Sequence, residues 1–306
     1  MMRHLYVIFA LLLLTACDDG DIITVDLEFD KELDLCTNNT ESFLIYDTRE
    51  NPNESLSLII PRGNNEEFPF TEATPVGEPI EFNLQQIGNR FIYRTYNRSI
   101  VDGELCSPIP PANLTIVEDY EADAGTAFAT VSIEDDDNDG IPNTFEYGPG
   151  GIDNPRNSDD DEFPDYIDQD DDNDNVLTIN EIETDDIDGD GDPSNNLDTD
   201  GDGIADYLDE DDDGDGVDTI LEDANQNKDP RDDRNLNAEG VEVPDYLNVL
   251  EATDHGNPGL AGGNIYTRTV TVNFLIEDFN LDILSATEID FGTLTYDITF
   301  IEEADD

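Results

Sequence analysis

Between Asp135 and Asn248 aspartates recur at alternate positions, and several of the runs end in a further acid. Three such runs head a unit that returns about every 35 to 41 residues. The first contains Asp135, Asp137, Asp139, Gly140 and Glu146; the second Asp170, Asp172, Asp174 and Glu181; the third Asp211, Asp213, Asp215, Gly216 and Glu222. The first and third fit the pattern D-x-D-x-D-G-x5-E throughout. Calcium is a hard cation that takes six to eight oxygens, and alternate residues of a tightly curved loop aim their carboxylates at one centre. Glycine at the sixth place lets the chain turn sharply, and the backbone carbonyl of the seventh residue, here Ile141, Val176 or Val217, adds a ligand. Asn143, at the ninth place of the first loop, is a further candidate, and the acid at the twelfth closes the shell with two oxygens. In the second loop Asn175 replaces glycine, as its tolerance of positive φ permits.

Two weaker parts follow each loop. Asp186, Asp188, Asp190 and Asp192-Pro193 correspond to Asp223, Asn225, Asn227 and Asp229-Pro230, with Asp153-Asn154-Pro155 as a degraded copy. They either bind calcium or serve only as turns. The last part is Asp198, Asp200, Asp202, Gly203, Ile204, Asp206, Tyr207, Leu208 and Asp209, echoed by Asp159, Asp161, Phe163, Asp165, Tyr166 and Asp168. Here Ile204 sits where a seventh-place carbonyl is expected. A third echo, Val243 to Leu247, has Val241 in place of an aspartate, so no full site is expected there. The cofactor expected is therefore Ca2+ at about five or more sites.

Other metal loops fit less well. An EF-hand or dockerin needs flanking helices, and Tyr147-Gly148-Pro149-Gly150-Gly151 after Glu146 cannot start one. The Gly-Gly-x-Gly nonapeptide is absent, and transition metals prefer imidazole or thiolate, of which this region has none. The loops resemble thrombospondin type 3 repeats, over about a third of the chain. That resemblance implies repeats with almost no hydrophobic core, wrapped around bound calcium, for which Ile141, Phe163, Val176, Ile204 and Val217 provide small apolar contacts. The paired cysteines of the animal versions are missing.

The whole chain has 78 acidic against 12 basic residues, a net charge of -66, and 43 of the acids lie between Glu134 and Asp245. Such a charge repels nucleic acid and favours cations or basic protein patches. A solvated disordered tract is the plain alternative, which the regular spacing argues against.

The elements around the array read as β-structure. Ile22 to Phe29, Phe43 to Tyr46, Ser55 to Ile60, Pro79 to Leu84, Arg90 to Tyr96 and Ala127 to Ile133 carry β-branched and aromatic residues between Asn, Gly and Pro clusters. Short strands at this spacing predict a mainly β fold, with a sandwich-like amino-terminal domain over residues 22–133. Residues 134–248 form the irregular calcium-binding array, 249–263 a flexible joint, and 264–306 carboxy-terminal strands, from the alternation in Tyr266 to Ile276 and Phe291 to Ile301. Those strands either complete the sandwich, making the array an insertion, or form a small domain of their own.

The first residues bear on compartment. Arg3 and His4 precede an apolar run from Leu5 to Leu14, too short to span a bilayer, and Leu14-Thr15-Ala16-Cys17 resembles the bacterial lipobox. Residues 1–16 are thus expected to be a signal peptide, with lipid on Cys17. Asp18, Asp19 and Asp21, within a tether over residues 17–21, resemble the surface-export tag of Bacteroidota lipoproteins. In an exported chain, Cys36 and Cys106 are expected to form one disulfide. The complete layout is similar to an uncharacterised flavobacterial lipoprotein type.

No nucleophile motif or phosphate loop is present, and His255 lies in a glycine-rich stretch. The expected function is non-enzymatic: an outer-membrane, lipid-anchored surface protein, rigidified by calcium, serving as a spacer or docking module on a β-barrel or surface complex. Its rivals are a glycan-binding or hydrolytic sandwich on a calcium stalk, and an adhesin.

Overall fold

A computed structural model describes residues 29–38, 41–62, 68–85, 87–182, 197–262, 264–282 and 284–301. Cys17, the acidic tether, most of the strand read at residues 22–29, and Asp186, Asp188 and Asp190 lie outside them. Among the described residues no helix is long and apolar enough to cross a membrane.

The fold is mainly β. One sheet has the order β1-β2-β3-β5-β6, built from β1 (Asp34–Cys36), β2 (Ser42–Arg49), β3 (Glu54–Pro61), β5 (Arg90–Tyr96) and β6 (Ile116–Glu121). The other has the order β11-β10-β7-β4, from β11 (Leu284–Ile301), β10 (Ile265–Leu281), β7 (Thr126–Ser132) and β4 (Ile80–Asn83). The carboxy-terminal strands therefore join the amino-terminal ones in a single sheet, and residues 133–264 are an excursion between β7 and β10. By internal contacts the chain divides in two, and β7, β10 and β11 contribute to both units.

The first unit, which includes Ile80–Ala129 and Phe274–Leu294, is a sandwich. Phe91 of β5 meets Phe279 of β10 and Phe291 of β11 edge-on, each at 5.5 Å between ring centroids, which joins the two sheets through one aromatic cluster. Ile45, Leu56 and Leu58, on the same face of their sheet as Phe91, fill the same interior. The disulfide Cys36–Cys106 ties β1 to the turn Glu104–Cys106, with Cα atoms 5.2 Å apart. It closes a loop of about 70 residues, worth about 4 kcal/mol in the chain-entropy account. β6 is polar and largely exposed. Its pairing with β5 is reinforced by ion pairs from Arg90 to Glu121 and from Arg94 to Asp119.

At the edge of the second sheet Leu33 and Thr293 exchange backbone hydrogen bonds with the facing segment, Leu33 N–H to Thr293 O and Thr293 N–H to Lys31 O, both at 2.9 Å. Gly292 makes that approach possible: its φ is +136°, and a Cβ there would lie 2.6 Å from the Lys31 carbonyl oxygen. Gly292→Ala should therefore lower sandwich stability by about 2 to 4 kcal/mol, from strain and the clash together. Urea unfolding of the variant with an unchanged midpoint would contradict this.

The second unit comprises Phe68–Pro79, Thr130–Asn273 and Thr295–Asp306. Among the described residues the array is mostly loops and 3-10 turns, with an α-helical turn at Asn143–Glu146 and a short hairpin at Arg234–Leu236 and Glu242–Pro244. Its apolar core is small: Ile141, Ile182 and Tyr207, with Phe145, Ala205 and Leu208 beside them. Val176 is also fully buried, whereas Ile204 is 45% exposed and Phe163 and Val217 are half-buried.

Residues 249–262, read from sequence as a flexible joint, are bonded along the array. His255 N–H donates to Leu221 O (2.8 Å), Gln226 Nε2 to His255 O (2.7 Å) and Lys228 Nζ to Leu260 O (2.5 Å). Asn175 explains its own departure from glycine here. Its φ of +75° serves the loop, while its amide donates to Gly259 O (3.3 Å) and accepts from Ala261 N–H (2.6 Å).

Candidate metal centre

Each long loop is shaped by its own carboxylates. Gly140 N–H donates to Asp135 Oδ2 (3.1 Å), Asp139 N–H to Asp137 Oδ1 (3.2 Å) and Ile141 N–H to Asp139 Oδ1 (2.8 Å). The same pattern returns around Asp211, with Gly216 to Asp211 (2.9 Å), Asp215 to Asp213 (3.1 Å) and Val217 to Asp215 (2.9 Å). Around Asp170, Asp174 N–H meets Asp172 (3.3 Å) and Val176 N–H meets Asp174 (2.6 Å). Positive φ occurs at the sixth place in all three, Gly140, Asn175 and Gly216, and also at the fourth, Asn138, Asn173 and Gly214. Two left-handed residues per loop curl the chain so that, at the third and fifth places, one oxygen of each aspartate takes a backbone N–H and the other turns inward, while Asp135 at the first place takes N–H groups on both oxygens.

Those inward oxygens are buried with no hydrogen-bond donor: Oδ2 of Asp137, Asp139, Asp172, Asp174, Asp213 and Asp215. Both oxygens of Glu146 and Glu181, and Oε1 of Glu222, are in the same condition. Leaving so many acceptors dry and unpaired is costly unless a cation meets them. Carboxylate oxygens gather within 4.8 Å of one another in Asp135, Asp137 and Asp139; in Asp139, Glu146 and Asp171; and in Asp172, Asp174, Glu181 and Asp212. The shorter loops form more exposed groups, Asp159, Asp161 and Asp168, and Asp198, Asp200 and Asp202. These clusters could hold metal ions, and their donors are all carboxylates.

Asp171 and Asp212 are not evident from the spacing of a single loop. Each stands second in its own loop yet completes the cluster of the loop before it, and both its oxygens lack donors. The recurrence of Asp136, Asp171 and Asp212 at one place in the unit is the signal that could have found them. Asp245, 3% exposed with Oδ1 unpartnered, lies close enough to the third loop to help raise Glu222.

Several expected ligands have other partners. Asn143 spends its amide on Asp136, accepting from its N–H (2.7 Å) and donating to its Oδ2 (2.6 Å). Thr178 and Thr219, at the same place, accept from Asp171 N–H (3.3 Å) and Asp212 N–H (3.5 Å). Asp165 takes Ser158 N–H and Oγ (2.8 and 2.9 Å) together with Arg156, and Asp206 takes Thr199 N–H and Oγ1 (both 2.7 Å). This aligns Asn157, whose Oδ1 is buried without a donor, with Asp198. The loop therefore opens at Asn157, two residues before Asp159. Asp209 is tied to Asp211 N–H (3.1 Å) as Asp168 is to Asp170 N–H (3.2 Å). In the third copy the hairpin of β8 (Arg234–Leu236) and β9 (Glu242–Pro244) replaces the loop. Asp223 closes on Asn227 N–H (3.2 Å) and Lys228 N–H (2.6 Å), so that segment is a turn built on one carboxylate.

Burial, then neighbouring carboxylates, raises these acids. Glu222 is pushed up to about 9 by burial and by Asp213, Asp215, Asp245 and Asp211. Burial likewise lifts Asp168 to about 8 and Asp170 and Asp213 to about 7, and holds Asp171, Asp172, Asp174 and Glu181 well above the carboxylate range. No protein family, curated protein or solved structure matches the chain.

Proposed function

We propose that the array binds calcium, and that the protein is a non-enzymatic lipoprotein anchored at the outer membrane, where calcium stiffens it as a spacer or docking module. The observation that carries the calcium reading is the set of buried carboxylate oxygens without donors, gathered within 4.8 Å. An all-oxygen donor set of this density suits calcium better than zinc or copper, and also better than magnesium, which keeps much of its water. The loops' own backbone bonds aim these oxygens at common centres, and the seventh-place carbonyls of Ile141, Val176, Ile204 and Val217 would add to the shell.

The anchor rests on the sequence around Cys17, and the partner, a β-barrel or surface protein complex, on the acidic tether and the absence of any catalytic constellation in the sequence. Titration calorimetry with the metal-stripped chain is expected to give several calcium sites in the micromolar to millimolar range and far weaker heat with magnesium. No calcium heat would end the reading. Cys17→Ala is expected to shift the protein from the membrane fraction to the soluble one, or to leave the leader uncut. Full membrane retention with residue 17 as the mature end would refute the anchor.

A further inference from the structure

Asp136, Asp171 and Asp212 occupy one place in three successive repeats, and the backbone N–H of each is held by the side chain seven residues on. Their carboxylates meet different surroundings. Those of Asp171 and Asp212 enter the cluster of the preceding loop, with no donor on either oxygen. Asp136 has no preceding loop, because the chain before it is β7. Its Oδ1 is instead paired with Nη2 of Arg268, on β10.

Arg268 is built in. It is 6% exposed, its Nη1 donates to Thr71 O (3.2 Å) and lies 3.5 Å from Glu72, and its guanidinium sits 4.5 Å from the centre of the Phe300 ring. A guanidinium keeps its charge at every accessible pH and, unlike an ion, cannot dissociate. We propose that Arg268 takes at the first repeat the place that a bound cation takes at the next two, fixing the start of the array to β10 without metal. This rests on the calcium reading for the second and third junctions. Arg268 is a positioning residue acting through Asp136, and it makes the first junction permanent while the later ones are conditional on calcium.

Amide hydrogen exchange of the full chain tests this at three equivalent amides. In calcium, Asp136, Asp171 and Asp212 should all exchange slowly. With chelator, Asp171 and Asp212 should accelerate about a hundredfold or more, and Asp136 by less than about tenfold. Equal acceleration at all three overturns the proposal. No acceleration at any of them overturns the calcium reading as well, and so separates the two failures. In chelator Arg268→Met should bring Asp136 to the rate of the other two, with the sandwich amides of Ile45 and Leu58 as a check on folding. Adding Asp136→Asn to Arg268→Met removes the unpaired charge and should restore slow exchange to within about threefold. Arg268→Met without effect on Asp136, or no rescue by the second change, refutes the charge-pairing role, and the wild-type comparison stands even if the variants misfold.

Discussion

Removing calcium is expected to loosen residues 134–248, apart from the junction at Asp136 that Arg268 holds, while the sandwich stays folded. The array's apolar core is a handful of residues around Ile141, Ile182 and Tyr207, too few to offset the entropy of ordering so long a segment. The carboxylates oppose order further, because their inward oxygens share small volumes with no donor. Extracellular calcium modules bind at about 10⁻⁴ to 10⁻³ M, and an ion at about ten times that concentration contributes roughly 1.4 kcal/mol per site. Five loops then supply on the order of 7 kcal/mol, comparable with the stability of a whole domain. The sandwich has its own aromatic core and disulfide. Hydrogen exchange with and without calcium should show the central segment alone losing protection, and equal protection in both conditions would refute the expectation.

The pH dependence has opposite signs in the two states. Glu222, Asp168, Asp170 and Asp213 are raised by burial to between about 7 and about 9. A raised acid binds its proton more tightly folded than unfolded, so the metal-free array gains stability as pH falls from about 9 toward the ordinary carboxylate range. With calcium, protons compete for the same oxygens, so the loaded array loses stability over the same window.

Much of the candidate site was legible because the clustering of carboxylates within one loop is local: alternate aspartates, a left-handed sixth residue and a closing acid all lie within a dozen positions. Asp171, Asp212 and Asp245 were not, since their partners sit one repeat away and only the fold brings them near. Asn157 was hidden because it is not an acid. The glycines and proline of residues 249–262 suggested freedom, but their carbonyls and N–H groups are held by Asn175, Gln226 and Lys228, which sequence cannot pair with them. In the sandwich, β5 and β7 were readable from β-branched and aromatic residues. β6 was not, because its acids are held by partners on the neighbouring strand, Glu118 by the Thr95 hydroxyl, Asp119 by Arg94 and Glu121 by Arg90. The joining of β10 and β11 to β7 is a pairing across more than a hundred residues, and the alternation of one strand does not name its neighbour.

Asp212→Asn is expected to act in opposite directions with and without calcium. The side chain is 1% exposed, reaches from the third loop into the cluster of Asp172, Asp174 and Glu181, and receives no hydrogen bond on either oxygen. In calcium the substitution removes one charged ligand from a buried shell and should cost about 2 to 4 kcal/mol, raising the calcium needed to protect residues 170–181 roughly thirtyfold or more. Without calcium the same change removes one of four like charges from a confined volume, so exchange of that segment should become slower than in wild type. Asp218→Asn makes the same change of charge at an exposed position immediately before the turn Thr219–Leu221. It should move neither quantity by more than about twofold. A purely structural Asp212 would weaken the segment in both conditions, and a merely repulsive one would strengthen it in both. Only a carboxylate that meets a cation across the repeat boundary gives a loss in calcium together with a gain in chelator.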